Sequence, residues 1–118
     1  MKIAIQIISP AYSYEDADTA IHIAEAAIAA GHTVTIFLFA DSVESTNKNV
    51  KPIRVDRNIP KTLEQMIKEK GLDVQICSLC MEYRGLLEDQ IIEGAEPSGL
   101  PGLVEMIYNY DRFISLSA

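Results

Sequence analysis

Two stretches dense in β-branched residues, Ile3 to Ile8 and Thr33 to Phe39, stand on either side of a segment with a different period. In that segment Ala17, Ala20, Ile21, Ala24, Ala27 and Ile28 recur at three- and four-residue intervals, the spacing of one helix face. The order strand, helix, strand constrains the fold more than any other feature. Neighbouring strands joined through a helix pair in parallel by a right-handed crossover, and nearly continuous apolar strands need cover on both faces. Ser13 or Asp16 is placed to cap the helix, and Gly31 stands where a left-handed residue closes it.

The alternation continues. Pro60, the stripe Leu63, Met66 and Ile67, and Gly71 outline a second helix, followed by a third strand from Leu72 to Ile76. After Cys77, the positions Leu79, Tyr83, Leu86 and Leu87 are spaced for a third helix, weakened by Gly85, and Ile91-Ile92 belongs to a further short turn or helix. Glu93 to Gly99 has the composition of a loop. Pro101 begins a last helix carrying Leu103, Val104, Ile107 and Tyr108, and Arg112 to Leu116 is a last strand. Between Asp41 and Ile59 the pattern dissolves into polar residues, a long loop of the kind that serves binding or an interface. The expected architecture is a single α/β domain over residues 1–118, a three-layer α/β/α sandwich with a mainly parallel central sheet. Ligands of such folds bind beyond the carboxyl ends of the strands, here Ser9 to Tyr12, Ala40 to Ser42 and Cys77 to Leu79.

Several function classes are disfavoured. The formal net charge is −7, and Lys48, Lys51, Arg54, Arg57 and Lys61, with Asp56 among them, read as a solvated loop and not a basic patch, so no direct nucleic-acid partner is expected. The first strand ends in Ser9-Pro10-Ala11-Tyr12 without a glycine, which removes dinucleotide and P-loop readings. Pro10 also ends the first apolar run too early for a membrane span. The only cysteines, Cys77 and Cys80, form one Cys-x-x-Cys pair, short of a zinc site, and His22 and His32 read as surface residues. No metal and no organic cofactor are expected, and the cysteine usage suits the reducing cytoplasm.

The thiols remain. Cys77 ends the third strand where a helix begins, and unpaired amides and the helix dipole there would lower its pKa and make it a nucleophile. Arg84, about 10 Å further along a helix, would add positive field. Against this stands the reading of Cys77 as a small buried hydrophobe finishing a strand. Cys80, one turn on, either resolves an oxidised or persulfidated Cys77 or fills a gap in the core.

With these residues in view, the chain resembles the DsrE/TusD family of sulfur-relay proteins. The resemblance is carried by the opening strand with Pro10-Ala11-Tyr12, the alanine-rich helix ending in Gly31-His32, Ile76-Cys77 followed by Arg84-Gly85-Leu86, and Ser98-Gly99-Leu100 with Leu103-Val104-Glu105 and Asp111-Arg112. It implies a sulfurtransferase-type carrier whose Cys77 accepts sulfane sulfur as a persulfide and passes it to a partner thiol, in tRNA thiolation or sulfur oxidation. Arg84 and the amides after Cys77 would support the anion, with Tyr12 shaping the pocket mouth. It also implies sulfur donor and acceptor proteins as partners, and a trimer or hexamer, either a homo-oligomer or a hetero-oligomer with related subunits. Two departures stand out: the stretch from Leu87 to Ser98 is short for the family, and Cys80 is an addition. The rival readings are a dithiol oxidoreductase using Cys77 and Cys80, and a non-catalytic subunit that scaffolds an assembly.

Overall fold

The sheet is built from five strands, β1 (Lys2–Ile7), β2 (Thr33–Leu38), β3 (Asp73–Cys77), β4 (Glu96–Ser98) and β5 (Arg112–Leu116). Between them lie the helices α1 (Asp16–Ala29), α2 (Ile59–Lys70), α3 (Ser78–Tyr83) and α4 (Leu100–Asn109). This computed structural model describes the backbone of residues 1–118 and every side chain except that of Val55. The strand order is β4-β3-β2-β1-β5 and every pairing is parallel. The three-layer α/β/α sandwich expected from the alternation is the fold observed. Among the described residues no helix is long and apolar enough to cross a membrane.

Loop composition concealed one strand. Glu96-Pro97-Ser98 pairs with the end of β3, Ser98 lying opposite Cys77. As an edge strand it tolerates the missing N–H of Pro97, which a central position would not.

The strand order decides how the layers are filled. From β1 through β4 each step moves the same way across the sheet, so right-handed crossovers put α1, α2 and the 78–95 segment on one face. The step from β4 to β5 returns across the whole sheet and leaves α4 alone on the other. Contacts agree: Glu93 N–H donates to Glu64 on α2, and Tyr110, just after α4, hydrogen bonds Thr35 on β2. A Cβ on Gly94 would lie 2.7 Å from Ile67 Cγ2, so a glycine there lets the 78–95 segment close onto α2. Its φ of +91° is a second reason for glycine.

The two sheet faces differ in kind. Ile3, Ile5, Ile7, Val34, Ile36, Leu38, Val74 and Ile76 alternate onto the α1/α2 face, and all are buried. The α4 face instead carries Gln6, Thr35, Asp73 and Gln75, tied by hydrogen bonds from Gln6 to Ser115, from Thr35 to Asp73 and from Gln75 to Asp73. Of α4 only Met106 is buried. The last helix carries Leu103, Val104, Ile107 and Tyr108 as expected, but Leu103 is half-buried, while Leu100, Val104, Ile107 and Tyr108 are exposed. A single ten-residue helix over five strands cannot cover its face and also turn every apolar side chain inward.

Helix ends follow local chemistry in part. Gly31 closes α1 with φ +93°, its N–H bonding to the Ile28 carbonyl and that of His32 to the Ala27 carbonyl. Neither Ser13 nor Asp16 caps the start. The Asp16 carboxylate accepts from the Ser9 hydroxyl and from the Ala118 N–H instead. On α2, the Asn58 side chain accepts from Lys61 N–H, and Gly71 takes the left-handed closing position.

The 41–59 region departs most from its reading as a solvated loop. Ala40–Thr46 forms a 3₁₀ segment in which Ser42, Val43, Ser45 and Thr46 are buried. The Ser42 hydroxyl donates to the Ile7 and Phe39 carbonyls, which anchors this segment beneath the ends of β1 and β2. Arg57 is no solvated cation either. Its guanidinium donates to Asp18 and to the carbonyls of Ala11 and Tyr14, and it lies 5.3 Å from the Tyr12 ring centroid. Arg57→Ala is expected to cost about 2 kcal/mol, the scale of charge-assisted hydrogen bonds lost from a half-buried site. Equilibrium urea denaturation checks this; a loss below about 0.5 kcal/mol would return Arg57 to the class of ordinary surface charges.

Candidate functional site

Cys77 is both the last residue of β3 and the N-cap of α3. A strand ending in an apolar Ile-Cys and continuing directly into a helix turns the sulfur into the first helical turn. There the Cys77 sulfur accepts the N–H of Cys80, at 3.4 Å. N-cap and N3 are the two positions whose side chains meet at a helix start, the geometry that capping boxes use. The sequence spacing alone therefore brings the two thiols to one turn. Both are unoxidised and buried, Cys77 with 1% of its surface exposed and Cys80 with 8%.

The lowered pKa expected for Cys77 is not what the resting fold provides. Burial pushes the thiol above its ordinary value, and the neighbouring Cys80 side chain pushes the same way. The amides of Cys80 and Leu79 favour the thiolate but do not prevail. The physical reason is that α3 is only six residues long, so its dipole is small, whereas removing a sulfur anion from water is costly.

Cys80 is held from a second direction. The Ala40 N–H, just past β2, donates to its sulfur at 3.3 Å. Arg84 closes the arrangement: its Nη1 donates to the Cys80 carbonyl at 3.1 Å, and its Nε and Nη2 donate to Asp41 at 2.9 and 2.8 Å. Arg84 thus joins α3 to the β2 exit, its charge paired with Asp41. Of the four side chains singled out from the sequence, the fold brings Cys77, Cys80 and Arg84 together. Tyr12 is engaged elsewhere, its hydroxyl accepting the first N–H of α2, from Ile59, and its ring beside Arg57. Ala40 and Asp41 lie in the strand-end segment expected to border the site, but nothing local marks their contacts with Cys80 and Arg84, which only the fold creates.

The apolar positions after Cys77 also need correction. Cys80, Met81 and Leu86 are the buried ones, while Leu79, Tyr83 and Leu87 are exposed, Tyr83 by 80%. The helix ends at Tyr83, too soon to carry the expected stripe. A groove of about 330 Å³ runs beside it, lined by Ser78, Met81, Glu82, Leu86, Leu87 and Pro97.

Residues 1–116 match the DsrE/DsrF-like family. The chain belongs to that family. It is 37% identical over 112 residues to an uncharacterised protein of Methanopyrus kandleri, covering 95% of this chain and 91% of that one. It is 33% identical over 103 residues to a sulfurtransferase TusD homolog of Pseudomonas aeruginosa, covering 86% of this chain and 76% of its relative. The ychN protein of E. coli superposes with a TM-score of 0.84 at 24% identity, over 98% of this chain and 99% of that one. Among the described residues no group of three or more His, Cys, Asp or Glu side chains is placed to hold a metal ion.

Proposed function

We propose that this DsrE/DsrF-like protein is a cytoplasmic sulfur-relay carrier whose Cys77 takes up sulfane sulfur as a persulfide and yields it to a partner protein's thiol. The observation that carries the reading is the position of Cys77, at the carboxyl end of β3 with its sulfur accepting the Cys80 N–H. In the loading step the Cys77 thiolate attacks the outer sulfur of a donor persulfide. The new S–S bond forms as the donor's S–S bond breaks, leaving Cys77 as the persulfide and the donor as a thiolate. Arg84 acts as a positioning residue through Asp41 and the Cys80 carbonyl, and Tyr12 by fixing the β1 exit loop against α2.

Incubation with a persulfide donor followed by intact-mass measurement tests the reading. Cys80→Ser, in which Cys77 is the only thiol, and Cys77→Ser are compared. A gain of about 32 Da, one sulfur atom per chain, is expected in Cys80→Ser and not in Cys77→Ser. Equal gains in both, or none from several donors, would leave the scaffolding role as the better account.

The same reading includes an oligomer, a trimer or hexamer, supported by the exposed apolar residues Leu100, Val104, Ile107 and Tyr108 on one side of α4. The double substitution Val104→Asp, Ile107→Asp is expected to reduce the molar mass in light scattering to that of one chain. An unchanged mass for both proteins would remove α4 from the interface.

A further inference from the structure

One feature of the site is not required of a simple carrier. Ala40 has φ +58°, in the left-handed region that residues with a Cβ avoid. Such a conformation persists where surrounding structure imposes it, and it clusters at functional positions. Here the imposed turn directs the Ala40 N–H at the Cys80 sulfur. The next residue, Asp41, holds Arg84, whose Nη1 grips the Cys80 carbonyl. Consecutive residues at the β2 exit thus position Cys80 from its side-chain and main-chain sides. A cysteine that merely fills a core gap needs neither. Meanwhile its own N–H points at Cys77, so the two sulfurs share one helical turn, the spacing at which a disulfide closes.

We propose that Cys80 is a resolving thiol that discharges the sulfur carried by Cys77 as sulfide, giving the chain a persulfide-reducing activity. The proposal rests on the reading of Cys77 as the sulfur acceptor. In the step, the Cys80 thiolate attacks the Cys77 sulfur of the persulfide. The Cys77–Cys80 bond forms, the bond to the outer sulfur breaks, and hydrosulfide leaves with the electron pair. The two cysteines are oxidised together by two electrons, the sulfane sulfur is reduced to sulfide, and the Cys80 proton passes to solvent. A small-molecule or protein dithiol then reduces the disulfide and resets the pair. The Ala40 N–H favours the step by donating to Cys80 as its sulfur becomes anionic.

The experiment uses the full chain, fully reduced, exposed to excess inorganic polysulfide until loading reaches a plateau and then desalted. Sulfide in solution is trapped and counted, and intact masses are recorded for wild type, Cys80→Ser and Cys80→Ala. The wild type is expected to release about one sulfide per chain and to end about 2 Da below its reduced mass, as a disulfide. Both Cys80 variants are expected to keep about 32 Da of added sulfur and to release sulfide only when a dithiol is added. A wild type that holds its added sulfur as long as the Cys80 variants would overturn the resolving role. That result also covers the case in which Cys80 takes the outer sulfur and becomes a persulfide itself. If the Cys80 variants, shown folded by circular dichroism, take up no sulfur, the acceptor reading of Cys77 fails, and the resolving role falls with it.

Discussion

Alkylation of Cys77 by iodoacetamide in the native protein at neutral pH is expected to run at least about tenfold slower than that of a free cysteine. Two effects multiply. Cys77 is 1% exposed, so a reagent must await local opening, and an opening free energy of only 1.4 kcal/mol already contributes about tenfold. The thiolate is the reactive form, and burial raises the thiol's pKa, which slows the reaction further. The rate should therefore climb with pH beyond the range in which an ordinary thiol has finished ionising, and climb steeply in mild denaturant. Mass spectrometry of the alkylated peptide, with time, pH and urea varied, reads all three. A native rate near that of free cysteine would mean that the site is open and the thiol ionised at rest. The stability linkage has a definite sign. A thiol whose folded pKa is raised stays protonated in the fold after the unfolded chain has lost its proton, so stability is intact below the unfolded value and falls as pH rises through the folded one. The decline should be smaller in Cys77→Ser.

Phe37→Ala is expected to destabilise the protein by about 4 kcal/mol, within the range for deleting a fully buried aromatic ring. Phe37 is 0% exposed at the centre of the sheet, in β2. Its cross-strand neighbours are Gln6 on β1 and Gln75 on β3. It is thus a large apolar side chain set between polar neighbours on the face that α4 crosses, and the surrounding glutamines cannot close onto the vacated space without losing hydrogen bonds. Since domains of this size are held by about 5–15 kcal/mol in all, the loss would be a large share. Denaturant unfolding monitored by circular dichroism measures it, with a change of under about 2 kcal/mol showing that this face repacks freely. Ile36→Ala, on the opposite face, is a useful contrast. Its neighbours there are all apolar and better able to relax.

Much of this was legible in the chain itself. The β-branched runs, the alanine stripe of α1, Gly31 and Gly71 as helix stops and Pro60 near a helix start are local signals, and the structure uses them as read. The place of Cys77 was legible too, because the hydrophobic period changes from strand to helix at that residue. The Cys77–Cys80 spacing on a helix start then fixed that the two sulfurs would share a turn. Arg84 was recognisable as a neighbour of this turn, although not its pairing with Asp41.

Other features were decided only by tertiary structure. β4 has three residues and a proline, too little periodicity to register, and exists because the β3 edge offers unpaired backbone groups. Composition identifies α4 as apolar but does not say which way its apolar residues point. That depends on the return crossover from β4 to β5, which lays one helix across a face whose strands carry Gln6, Thr35, Asp73 and Gln75. The raised pKa of Cys77 likewise comes from burial by segments remote in sequence, which outweighs the local amides of a short helix. The seat of Cys80 on Ala40 N–H joins residues forty positions apart. Local sequence sets conformational preference and the order of polar and apolar residues; solvent exclusion and contacts between separate strands arise only when the layers meet, and those set the chemistry of the two thiols.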